Sequence, residues 1–118
     1  GRELVLLAED EEAVRTLMAG VLRRAGYAVL EARDGQDALE RLTALSKPPD
    51  IVVADLGMPH LGGLALAERL AVAAPNTPFL FVSGYGEAAA GKIGGHPLLE
   101  KPFSPQTLLA KVREILDR

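Results

Sequence analysis

The chain has 118 residues, 48% of them hydrophobic and 25% charged, which suits one compact domain with an adequate core and leaves no room for a second. It has no cysteine, so disulfides, thiolate catalysis and Cys-based zinc sites are excluded. A net charge of −3 argues against a general attraction to nucleic acid or to an anionic membrane, and the apolar runs fall far short of the ~20 residues that span a bilayer.

Leu4–Ala8 is an aliphatic run of the kind that forms a buried strand. From Glu11 to Ala25 the apolar residues Val14, Leu17, Met18, Val21 and Leu22 recur at helical spacing, with Asp10 as the expected N-cap and Gly26 in the C-cap position. A second strand is expected over Ala28–Ala32, a turn at Asp34-Gly35, and a helix from Gln36 to Leu45, broken by Lys47-Pro48-Pro49. The third strand runs from Ile51 to Ala54 and ends in Asp55. Met58-Pro59 and Gly62-Gly63 frame a loop before a helix over Leu64–Ala74. Phe79–Val82 is the fourth strand, ending in Ser83-Gly84. A short helix is expected over Glu87–Ile93. Gly84, Gly86, Gly91, Gly94 and Gly95 predict that it is short or partly unwound, since glycine in a helix costs about 0.5–1 kcal/mol relative to alanine. Leu98–Glu100 is the fifth strand, and a last helix opens at Ser104 or Pro105.

Continuous aliphatic strands alternating with amphipathic helices imply a parallel sheet covered on both faces, and a doubly wound α/β fold is the favoured topology. In such sheets ligands bind beyond the carboxyl ends of the strands. Four of those ends carry chemistry: Glu9-Asp10, Asp55, Ser83 and Lys101. Three carboxylates brought together repel one another unless a cation joins them, and a hard divalent ion such as Mg²⁺ suits oxygen ligands. Glu9, Asp10 and Asp55 are candidate ligands, with the backbone carbonyl of Gly57 within reach. An aspartate is also a competent nucleophile toward phosphorus, and phosphoryl transfer needs mainly positioning and charge neutralisation, which Lys101 and the Ser83 hydroxyl can provide. Taken singly, each residue has a plainer explanation as a helix terminus, a turn cap or a solvated lysine; together at four strand ends they form a minimal phosphoryl-transfer site.

These residues carry a family resemblance. Leu4-Val-Leu-Leu-Ala-Glu-Asp-Glu-Glu12, Asp50-Ile-Val-Val-Ala-Asp-Leu-Gly-Met-Pro59, Phe81-Val-Ser-Gly-Tyr85 and Glu100-Lys-Pro-Phe103, in this order and spacing, resemble the receiver domains of bacterial response regulators from end to end. The closest subgroup is the receiver attached to hybrid sensor kinases. The resemblance implies a flavodoxin-like (βα)5 sandwich with strand order 2-1-3-4-5 and five helices. It implies Mg²⁺ on Glu9 and Asp10, phosphorylation of Asp55, Ser83 as the hydroxyl switch, and Lys101 on the phosphate, followed by a cis bond to Pro102. It implies a sensor histidine kinase or a histidine phosphotransfer protein as partner, admits a homodimer, and gives the domain no outside substrate. Residues 1–118 are expected to be a single domain excised from a longer, cytoplasmic protein, since no secretory signal precedes the first strand.

Two departures stand out. Leu98 occupies the place, three residues before the lysine, where many members carry an aromatic that swings inward on activation. The stretch from Ser83 to Lys101 is shorter than is usual and rich in glycine. Two other functions compete with a phosphoryl-accepting switch. A receiver-like interaction module that works without phosphorylation is disfavoured by the complete set of site residues. An aspartyl phosphatase is disfavoured by Gly57, which stands where a second acid/base aspartate would be needed.

Overall fold

The computed structural model describes residues 2–84, 92–93 and 95–118. Its elements in chain order are β1 (Leu4–Ala8), α1 (Glu12–Arg24), β2 (Ala28–Ala32), α2 (Gly35–Thr43), β3 (Ile51–Asp55), α3 (Gly63–Ala73), β4 (Phe79–Ser83), β5 (Lys92–Ile93), β6 (His96–Glu100) and α4 (Pro105–Leu116). The sheet order is β2-β1-β3-β4-β6-β5. The first five of these strands are mutually parallel, and β5 runs antiparallel to β6. Without the short β5 this is the expected 2-1-3-4-5 order.

Side chains on a strand alternate between the two faces of the sheet, so each strand feeds two cores. Val5, Leu7, Ile51, Val53, Leu80 and Val82 pack on one side against Met18 and Leu22 of α1 and Leu108, Val112 and Ile115 of α4. Leu6, Ala8, Val52, Ala54, Phe79 and Phe81 pack on the other against Ala38 of α2 and Leu66 and Leu70 of α3. Burial on both faces is why these strands read as unbroken aliphatic runs.

Local chemistry sets the helix ends. Asp34 caps α2, its carboxylate accepting a hydrogen bond from the Asp37 amide at 2.7 Å, while Asp37 accepts one from the Arg33 amide at 2.9 Å. That second bond, with Arg41 nearby, holds the Asp37 carboxyl below its usual range. Asp34→Ala is expected to cost about 1 kcal/mol of folding free energy in chemical denaturation. Ser104 caps α4 through the Thr107 amide at 3.1 Å, with Pro105 at the first helical position. Gly26 follows α1 with φ +102°, a conformation that glycine adopts without a Cβ penalty.

Three expectations need correction. Asp10 does not cap α1: the N-cap residue is Glu11, with no side-chain cap bond. The Glu11 amide is taken instead by the Glu9 carboxylate at 3.1 Å, which leaves Asp10 at the surface of the loop. The helix expected over Glu87–Ile93 falls mostly outside the described residues, and its last two, Lys92–Ile93, form β5. The fifth parallel strand also begins two residues earlier than expected, at His96. The His96 ring packs against Phe81 (centroids 5.4 Å apart, edge-on) and Phe79 (5.6 Å), which holds the start of β6 to β4.

Candidate functional site

The sheet order brings the carboxyl ends of β1, β3, β4 and β6 to one edge of the molecule. Glu9 follows β1 and is only 1% exposed; Asp10 beside it is exposed. Asp55 ends β3 and Ser83, 1% exposed, ends β4. Lys101 follows β6, and its amide donates to the Ser83 carbonyl at 2.7 Å. The Lys101–Pro102 peptide bond is cis, as expected.

One ammonium joins the site. Lys101 Nζ donates to Glu9 Oε1 and to Asp55 Oδ2, each at 2.9 Å. The other Asp55 oxygen, Oδ1, accepts from the Gly57 amide at 2.9 Å. Asp55 is thus held at both oxygens with its side chain 12% exposed, open enough for a reagent to approach. The Glu9 carboxylate meets the Lys101 ammonium on one oxygen and the Glu11 amide on the other. Burial nevertheless dominates for Glu9. It pushes the carboxyl up to about 7, against the pull of Lys101 and the Glu11 amide and with a further push from Asp55. Burial alone would lower the Lys101 ammonium, but its hydrogen bonds to Glu9 and Asp55 outweigh that and raise it.

Glu9, Asp10 and Asp55 each offer a carboxylate oxygen, and these oxygens lie within 4.8 Å of one another. The donor set is entirely hard oxygen, which fits Mg²⁺ and not a thiolate-seeking metal. A carboxylate buried as deeply as Glu9 also gains from a cation that offsets its lost hydration. The residues present therefore fit a divalent ion. Ser83 and Lys101 lie at neighbouring strand ends on the same edge, and Gly57 lies on the loop after β3, with its amide turned to Asp55.

Comparison with known proteins places the chain in a family. The model of the response regulator receiver domain matches residues 5–113. The chain belongs to that family. This receiver domain is 41% identical to the sensor kinase CckA of Brucella abortus over 125 aligned positions, spanning 100% of the chain and 13% of that protein. It is 32% identical to the transcriptional regulatory protein PhoP of Bacillus subtilis, over 97% of the chain and 48% of that protein. It superposes on the crystal structure of a putative response regulator from Chloroflexus aurantiacus with a TM-score of 0.88 at 30% identity, each chain covered in full (100%). The receiver thus spans half or less of the curated relatives named here. Among its described residues no helix is long and apolar enough to cross a membrane.

Other features of the receiver's site do not show in strand-end chemistry. Arg15, on α1, donates from Nη1 to the Glu9 backbone carbonyl at 2.9 Å. Gly63 starts α3 against the main chain of Asp55: a Cβ there would lie 2.7 Å from the Asp55 carbonyl oxygen. Gly62-Gly63 was readable as a loop but not as a close approach, because the contact exists only once α3 has folded back under β3. Leu98 is 6% exposed and packs in the same layer as Phe79 and Phe81, two residues along β6 from the His96 ring.

Proposed function

We propose that this receiver domain accepts a phosphoryl group on Asp55 from a phosphohistidine, carried by a sensor histidine kinase or a histidine phosphotransfer protein. Glu9, Asp10, Asp55 and the Gly57 backbone carbonyl hold Mg²⁺. What supports this reading most is the Asp55 carboxylate itself, oriented by the Gly57 amide and Lys101 and clustered with Glu9 and Asp10.

One Asp55 oxygen attacks the phosphorus. An O–P bond forms as the N–P bond to the donor imidazole breaks, and the imidazole keeps the electron pair and takes up a proton. Mg²⁺, when bound, supplies charge neutralisation at the phosphoryl oxygens. Lys101, already beside Asp55, passes its hydrogen bond to a phosphoryl oxygen, and the Ser83 hydroxyl donates to another. The product switches the conformation of the domain, and hydrolysis of the aspartyl phosphate resets it. The domain has no outside substrate. The greater length of the curated relatives supports placing residues 1–118 as one unit of a longer protein, which we read as cytoplasmic, and the 41% identity to a sensor kinase favours a kinase-linked receiver.

Intact mass spectrometry after incubation with Mg²⁺ and a small phosphodonor tests this. One added phosphoryl group is expected, lost in Asp55→Asn and on chelation of the metal. An unmodified wild-type mass, where a known receiver reacts, would leave a phosphorylation-independent interaction module as the better reading.

A further inference from the structure

Arg15 sits where a cation is poorly placed for the helix. It is the fourth residue of α1, within reach of the positive end of the helix dipole, where acidic residues are favoured. Its side chain is nevertheless drawn in, only 13% exposed. Side chains on a helix lean toward its N-terminus, so that of Arg15 reaches back over the loop from Glu9 to Glu11. There Nη1 donates to the Glu9 carbonyl at 2.9 Å, and Nε pairs with Glu31 of β2 at 3.4 Å. Glu31 is itself tied to Arg23, at 2.9 Å.

The Glu9 carbonyl is half of the peptide group whose other half is the Asp10 amide. The two acidic residues are held very unequally. Glu9 is fixed at its amide by the Ala32 carbonyl (3.1 Å) and at its carboxylate by Lys101 and the Glu11 amide. The Asp10 carboxylate is exposed, and among the described residues it has no hydrogen-bond or ion-pair partner. The protein therefore places this carboxylate through the backbone: the peptide group before Asp10 sets where its Cα–Cβ bond begins, and rotation about χ1 and χ2 does the rest.

We infer that Arg15 is a positioning residue for the metal site: by clamping the Glu9–Asp10 peptide group, it aims the Asp10 carboxylate at the cation shared with Glu9 and Asp55. The inference rests on the proposed function and adds a residue that touches neither metal nor phosphate. The clamp is a charge-assisted hydrogen bond from Nη1, and Glu31 pairs separately with Nε on the far side of the guanidinium. Outer partners of this kind are typically worth about 10–100-fold in metal affinity.

Calorimetric titration of Mg²⁺ into the full chain at pH 7.5, with wild type, Arg15→Gln, Arg15→Lys and Glu31→Gln, provides the test. Arg15→Gln is expected to raise the Mg²⁺ Kd about tenfold. Arg15→Lys, whose single ammonium cannot serve both the carbonyl and Glu31, falls between it and wild type. Glu31→Gln, which keeps the clamp, stays within about threefold of wild type on the same scale. In metal-free protein, amide exchange at Asp10 and Glu11 quickens in Arg15→Gln. At saturating Mg²⁺ the rate of phosphorylation returns close to wild type, which a broken fold would not allow. A folded Arg15→Gln with unchanged Kd overturns the assignment; should that variant not fold, an unchanged Kd in Arg15→Lys does the same. A Glu31→Gln effect as large as that of Arg15→Gln also overturns it, by placing the work in the ion pair. Wild type that takes up no Mg²⁺ would instead overturn the proposed function, and this inference with it.

Discussion

Lys101→Met is expected to slow phosphorylation of Asp55 by about 100-fold and to cost about 3 kcal/mol of metal-free stability at pH 8. Among the described residues the ammonium is the single cation between Glu9 and Asp55, 2.9 Å from each. Methionine keeps the apolar stem and removes the charge, so the loss is that of the ammonium and not of packing. Two carboxylates then face one another, one of them almost wholly buried, and removing one member of a buried charged set strands the rest. The stability loss is smaller at pH 6, because Glu9, its carboxyl raised to about 7, is then largely protonated and leaves less buried charge for the ammonium to offset. Phosphodonor kinetics at saturating Mg²⁺ and urea denaturation at the two pH values measure both effects. A rate within about threefold of wild type would remove Lys101 from the transition state.

The second large effect is a stability that falls as pH rises. Glu9 has its carboxyl raised by burial from 4.5 to about 7. The folded state therefore binds more protons than the unfolded state between those values. The group's contribution is fully present below 4.5 and is lost as pH rises through about 7. For metal-free protein the linkage amounts to about 2 kcal/mol lost between pH 5.5 and 7.5. Glu9→Gln, which has nothing to titrate there, flattens that slope. Added Mg²⁺ acts in the opposite sense. Ligands must be deprotonated to hold it, so the stabilisation by Mg²⁺ is greater at pH 7.5 than at 5.5. Chemical denaturation at both pH values, with EDTA and with Mg²⁺, reads all four corners. A wild-type slope that persists in Glu9→Gln would assign the effect to another group.

Much of the fold was legible because its signals are local. Each expected parallel strand forms, and β1 and β2 match residue for residue; a strand buried on both faces, such as β1, needs an unbroken aliphatic run, and helices between the strands need apolar residues at 3.6-residue spacing. The C-terminal signal at Gly26 and the cap at Ser104 were equally plain. Asp10 misled because an acidic residue before a helix is read as a cap, and nothing local reveals that Glu9 has already taken the Glu11 amide. His96 and Pro97 hid the start of β6, whose pairing with β4 and β5 and ring contact with Phe81 are tertiary.

The sequence by itself determined which side chains end the parallel strands, and hence that Glu9, Asp10, Asp55, Ser83 and Lys101 meet at one edge of the sheet. It could do so because strand ends are local and the topology of a parallel sheet is narrowly restricted. Only the tertiary structure decided how those groups share charge. Lys101 bridges residues 92 and 46 positions away, Glu9 is buried deeply enough to hold its proton near neutrality, and Arg15 clamps the peptide before Asp10. Each of these depends on a distance or a burial that arises only when β1, β3 and β6 lie side by side with α1 packed across them.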